Sequence, residues 1–169
     1  MKKLLTLFFA FGFFYVQGGE IKNIKEELTS IKKNLKNYKV SKRKSGNAIA
    51  LLDIKLYKDK NGVARELVVD AEWEDSFVER GKYFYSKDGE IIYSFRKSHN
   101  IEDMTGCSIK EKAYFKNGKI IKKYKFVNGK CKKDKETKET IKSLPYLPVK
   151  IENPKKFFKD KDPLKVLKR

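Results

Sequence analysis

Three glycine turns, set into stretches of alternating apolar and polar residues, constrain this chain more than any other feature. Asn61-Gly62, Asp88-Gly89 and Asn117-Gly118 lie 27 and 29 residues apart. Such dipeptides accept the positive φ that two-residue hairpin turns require. From Asn47 to about Val127 apolar residues recur with a period of two, the period of a strand. With Asn61-Gly62 at the turn, Leu56 faces Leu67, Ile54 faces Val69, Leu52 faces Ala71 and Ala50 faces Trp73. One face is then wholly apolar, and a slip of one residue would destroy the separation. Lys82–Lys97 and Lys112–Phe126 repeat the device, each with a Tyr-Phe pair, a turn and an Ile-Ile pair. The pattern predicts Phe84, Ile91, Tyr93 and Phe95 on one face of the second hairpin. It predicts Ile109, Ala113, Phe115, Ile120, Tyr124 and Phe126 on one face of the third. Three consecutive hairpins make an antiparallel meander of about six strands over residues 47–131, an open sheet or a partial barrel.

The residues ahead of this array have a different period. In 19–40, Ile21, Ile24, Leu28, Ile31, Leu35 and Tyr38 fall at spacings of three and four, the signature of an amphipathic helix. Its narrow stripe is expected to lie on the sheet, giving an α+β, mainly β fold. Self-association through Ile21, Ile24, Leu28, Ile31 and Leu35 is the alternative use of the same stripe. Ser41–Gly46 reads as a polar linker. Residues 132–169 form a charged extension, kept extended around Pro145 and Pro148 because proline restricts both itself and its predecessor.

Residues 1–18 read as a signal peptide. Lys2 and Lys3 precede an apolar run, Leu4–Val16, which is shorter than the roughly 20 residues a membrane span needs. Val16-Gln17-Gly18 suits a cleavage site before Gly19. The expected location is therefore periplasmic or extracellular, with no transmembrane span after cleavage. Cys107 and Cys131 then meet an oxidising compartment, where two cysteines can form a disulfide worth roughly 3 kcal/mol.

The net charge is +19, and 41 residues are Lys or Arg. Arginine occurs only at 43, 65, 80, 96 and 169, so planar, bidentate readout of phosphate is scarce and sequence-specific nucleic-acid binding is not expected. Surface charge of this sign does favour an anionic macromolecule as partner. Lys122, Lys123 and Lys125, with Tyr83, Tyr85 and Tyr114 predicted on faces opposite the core, are the candidate binding residues, because rings among cations can stack on bases or sugars. Asp53 lies opposite Asp70, which is destabilising without compensation from a lysine such as Lys55 or from a hard cation such as Ca²⁺. His99, placed in a loop after the fourth strand with Arg96 nearby, is the candidate catalytic residue of a small nuclease-like hydrolase. No metal-ligand spacing and no cofactor motif is present.

Tyr83–Lys97 and its echo Tyr114–Phe126 resemble short bacterial exported proteins carrying repeated Tyr-Phe-x-x-Asp-Gly-Lys-Leu hairpins. There is a further similarity to hairpin repeats of the MORN kind, from which this chain departs in period and glycine pattern. Both resemblances imply a hairpin array and neither implies an activity. The expected function is that of an exported, non-catalytic binding protein, with the hydrolase and the self-assembling protein as alternatives.

Overall fold

Two consecutive apolar residues after a hairpin turn cannot both point to one face of a strand, and this conflict shapes the sheet. The computed structural model describes residues 2–46, 50–73, 77–100, 108–128 and 147–163, with the side chains of 2–17, 77, 99 and 100 excepted. Seven strands follow one another in space as in sequence: β1 (Lys39–Gly46), β2 (Ala50–Lys58), β3 (Ala64–Trp73), β4 (Phe77–Tyr85), β5 (Ile91–Asn100), β6 (Ser108–Lys116) and β7 (Lys119–Asn128). All neighbours are antiparallel, and the sheet is open, with β1 and β7 at its edges.

The register expected for the first hairpin is the one found, from Ala50 opposite Trp73 to Leu56 opposite Leu67. Its turn differs from the two-residue form. Only Gly62 has positive φ, at 75°, and Asp59 closes the loop by accepting from Gly62 N–H and donating to the Val63 carbonyl. Ser86 does the same with Gly89 and Glu90 in the second hairpin. In both loops the leading side chain also accepts two backbone N–H groups, from Asn61 and Val63 onto Asp59 and from Asp88 and Glu90 onto Ser86. Asn117 and Gly118, both at positive φ, form the one two-residue turn of the expected kind among the described residues.

Each hairpin then carries a bulge at the same place. The register shifts by one residue at Arg65, at Ile92 and at Ile121, just inside the second strand. A bulge residue lets two successive side chains leave on one side. Ile91 therefore packs on one face while Ile92 and Tyr93 pack on the other. This corrects the expectation that Ile91 shares a face with Phe84, Tyr93 and Phe95. It also corrects the third hairpin, where Tyr124 pairs with Lys112 and Phe126 with Lys110, on the side opposite Ala113 and Phe115.

The two faces have different covers. On one, Leu52, Ile54, Leu56, Leu67, Val69, Tyr83, Tyr85 and Phe115 are closed over by a strap, residues 147–163, through Leu147, Ile151 and Phe157. On the other, helix α1 (Lys2–Asn34) packs Ile24, Leu28 and Ile31 on Phe84, Ile92, Tyr93 and Tyr114, with Ile21 and Leu35 at the margin. A single 3₁₀ turn, Leu35–Asn37, leads from the helix into β1. Residues 41–46, expected to be a linker, are part of β1, paired along their whole length with β2. β1 lacks apolar alternation because it is an edge strand whose side chains are mostly exposed or half-buried, and its lysines discourage pairing with another edge. The strap ends in a short helix, α2 (Pro154–Lys159), capped by Asn153, whose side chain accepts from Lys156 N–H. Among the described residues no helix is long and apolar enough to cross a membrane. Cys107 and Cys131 lie outside the described residues.

Candidate binding face

Strand alternation and the bulge at Ile121 decide which side chains of β5, β6 and β7 share the helix side of the sheet. They are Tyr93, Phe95 and Lys97 on β5, Lys110, Lys112 and Tyr114 on β6, and Lys122, Tyr124 and Phe126 on β7. Across the ladders, Phe126 stands opposite Lys110, Tyr124 opposite Lys112, and Lys122 opposite Tyr114. Phe95 is opposite Lys112 and Lys97 opposite Lys110. Rings and ammonium groups thus share one surface, and they alternate across the row Phe95, Lys112 and Tyr124. No carboxylate belongs to this part of the face among the described residues, and Lys97, Lys110, Lys112 and Lys122 form no ion pair there. Acids on the same side are engaged elsewhere: Glu20 of α1 pairs with Lys116, Asp70 with Arg80, and the buried Glu66 of β3 lies 4.0 Å from Lys82 Nζ.

The rings form a continuous run from the core to the edge. Phe84 and Tyr93 are 5.8 Å apart between centroids, Tyr93 and Tyr114 5.0 Å, and Tyr114 and Tyr124 6.3 Å. Burial pushes the Tyr93 phenol up to about 12 and raises that of Tyr114, so both hydroxyls stay neutral. The run ends in the open. Tyr124 and Phe126, 37% and 49% exposed, lie 6.3 Å apart with ring planes 12° from parallel. Lys122 Nζ sits 5.2 Å from the Tyr124 centroid. An edge strand bearing large exposed rings is unusual, because apolar surface there invites association.

The opposite side of the same strands holds a compact charge cluster. Glu79, Arg96, Ser98, Ile109, Glu111, Lys123 and Lys125 line a cavity of about 180 Å³. Arg96 pairs with Glu111 and donates to the Leu147 carbonyl, while Glu79 Oε2 accepts from Leu147 N–H at 2.7 Å. Burial pushes the Glu79 carboxyl up to about 7, against the opposing pull of the Leu147 N–H and of Arg96. Beside it the Tyr83 hydroxyl donates to Pro148 O at 2.6 Å and the Tyr85 hydroxyl to Ile151 O at 2.9 Å. These groups seat the strap by its backbone.

The residues singled out in the sequence are therefore divided. Lys122 is on the open lysine–aromatic face, and Tyr114 is buried at its inner margin. Lys123 and Lys125 are on the strap side, with Lys123 paired to Glu111. Tyr83 and Tyr85, expected on solvent faces, are fully buried beneath the strap and offer no ring to a ligand. Asp53 does lie opposite Asp70, and the compensation is internal: Lys55 is 3.8 Å from Asp53, and the Arg80 guanidinium takes both oxygens of Asp70. No group of three or more metal-binding side chains exists among the described residues. His99, expected in a loop, belongs by its backbone to β5, opposite Val78 and Ser108.

Sequence reasoning missed Lys97, Lys110, Lys112, Tyr124 and Phe126 as face-mates, and missed Glu79 and Arg96 as a pair. A signal for the first group exists. Ile120-Ile121, like Ile91-Ile92, breaks the alternation at the same distance from its turn, which is how a bulge reads in sequence. No family model, curated protein or solved structure matches the chain.

Proposed function

We propose that this chain is an exported binding protein, without catalysis of its own, that holds an anionic macromolecule on the lysine–aromatic face of β5, β6 and β7. The observation that carries the reading is the composition of that face: four lysines free of ion pairs among the described residues, interleaved with exposed rings and without a carboxylate. Export rests on the leader-like segment, residues 1–18. In α1, Ile24, Leu28 and Ile31 pack on the chain's own sheet, so the reading does not use them for assembly.

A polyanion binds lysines by releasing counterions, so affinity falls steeply with salt in proportion to the contacts made. Retention on an immobilised polyanion should therefore depend on which lysines are present, and not only on how many. The variant Lys110→Gln/Lys112→Gln/Lys122→Gln is expected to elute at clearly lower salt than the parent. A control with the same change in charge elsewhere, Lys42→Gln/Lys44→Gln/Lys155→Gln, is expected to elute close to it. Equal shifts in the two would mean a diffuse polycation and would remove the reading.

A further inference from the structure

We infer that the macromolecule taken by this face is single-stranded nucleic acid, bound without regard to base sequence. The inference rests on the binding-face reading and adds the identity of the partner. Its first ground is the pair of rings at the edge. The two rings are near-parallel with centroids 6.3 Å apart, and they are 37% and 49% exposed. They present like-oriented faces at the sheet edge on which bases can stack. Among the described residues no strand pairs with the outer edge of β7.

The second ground is the repeat of charge. Each exposed ring has a lysine directly across the ladder, Lys112 for Tyr124 and Lys110 for Phe126. Residues so paired have Cβ atoms about 5 Å apart, and same-face positions along a strand repeat at roughly 6.6 Å. A polymer with one planar ring and one negative charge per unit matches that arrangement, and a nucleotide is such a unit. Duplexes hide the faces of their bases, so the strand must be single. Lysine, a point charge without a planar fork, takes a phosphate without reading its surroundings, which makes the contact indifferent to sequence.

Two other polyanion classes fit less well. A lipid surface is met by an apolar zone set apart from a basic one, whereas here each exposed ring stands directly across the ladder from a lysine. A sulfated or carboxylated polysaccharide would use the lysines but gains little from two parallel planes.

Fluorescence anisotropy of the full chain without its leader tests the inference with four probes. They are a labelled single-stranded oligonucleotide of mixed sequence, the same sequence as a duplex, dextran sulfate as competitor, and vesicles containing anionic phospholipid. The single strand is expected to bind most tightly. Tyr124→Leu/Phe126→Leu should weaken it by about tenfold or more, since stacking contributes that much per base, while leaving the salt slope unchanged. Lys110→Gln/Lys112→Gln/Lys122→Gln should flatten the salt slope. If single strand, duplex and dextran sulfate bind alike and the ring variant binds as the parent does, the nucleic-acid inference is overturned while the basic face survives. Binding to vesicles alone overturns it in favour of a membrane surface. If the lysine variant also matches its charge control on every probe, the binding-face reading fails with it. Tyr124 and Phe126 are exposed, so an unchanged melting temperature confirms that the ring variant is folded.

Discussion

At the scale of single residues, Glu79 is where packing and charge conflict most directly. Its carboxyl is buried, accepts the Leu147 N–H and faces Arg96, yet burial dominates and holds its pKa near 7 against an ordinary 4.5. Between those two values the unfolded chain has lost this proton and the native chain keeps it. The native state binds more protons there, so the stability owed to this group is complete below about 4.5 and declines as pH rises toward 7. Glu79→Gln keeps the shape and cannot ionise. Thermal melting followed against pH should show the parent losing stability relative to this variant across that window, with no further divergence above it. A constant difference at all pH values would mean that Glu79 is already ionised in the folded protein. Gly81 supplies a second residue-scale test. A Cβ at this position would stand 2.9 Å from the Tyr83 ring and 3.0 Å from Leu147 Cδ1. Gly81→Ala should cost about 1–3 kcal/mol through overpacking and should open the strap to protease first.

At the scale of elements, the bulges decide which side chains share a face more than the turns do. Turn residues specify where each hairpin reverses, but the extra residue at Ile121 decides that Lys122, Tyr124 and Phe126 join Lys110 and Lys112. Deleting Ile121 removes the bulge and restores strict alternation while keeping Ile120 opposite Phe115 and Lys122 opposite Tyr114, so Lys122, Tyr124 and Phe126 keep their side of the sheet. The deletion variant is therefore expected to elute from an immobilised polyanion at the same salt concentration as the parent. Elution at clearly lower salt would show that the bulge residue itself, and not only the face it sets, is needed for retention. The strap is the other element with a clear test. Phe157 is buried against the sheet beneath α2, and Phe157→Ala should cost about 3–5 kcal/mol, seen as a lower midpoint in chemical denaturation.

At the scale of the whole molecule, one sheet is covered on both faces by segments from the two ends of the chain. The helix and strap each bury only part of the sheet, and among the described residues the part of the helix side left uncovered is where the unpaired lysines and rings gather. α1 is continuous from Lys2 to Asn34, so the leader-like residues prolong the helix that packs on the sheet. Cleavage before Gly19 would leave Ile21, Ile24, Leu28 and Ile31 in place on the sheet. Expression with export should give a mature protein beginning at Gly19, read by intact mass, with the melting temperature of a chain made without the leader. A product retaining residues 1–18 would count against processing.

The hairpins were legible because a period of two beside a glycine turn admits few alternatives. The first register follows from its apolar face alone, since any slip would expose Leu52, Ile54 and Leu56. Strand β1 was not legible, because a polar edge strand owes its conformation to the backbone bonds offered by β2 and not to its own side chains. The candidate face was half legible: Lys122 and Tyr114 stood out, whereas Tyr83 and Tyr85 could not be placed without the strap that buries them. Local pattern thus determined the elements and most of their pairing, being fixed by interactions between residues near in sequence. Which side of the sheet the helix covers, which carbonyls Arg96 and the tyrosines hold, and which lysines stay unpaired were decided only in three dimensions. Those choices depend on contacts between segments far apart in the chain, and no local period encodes them.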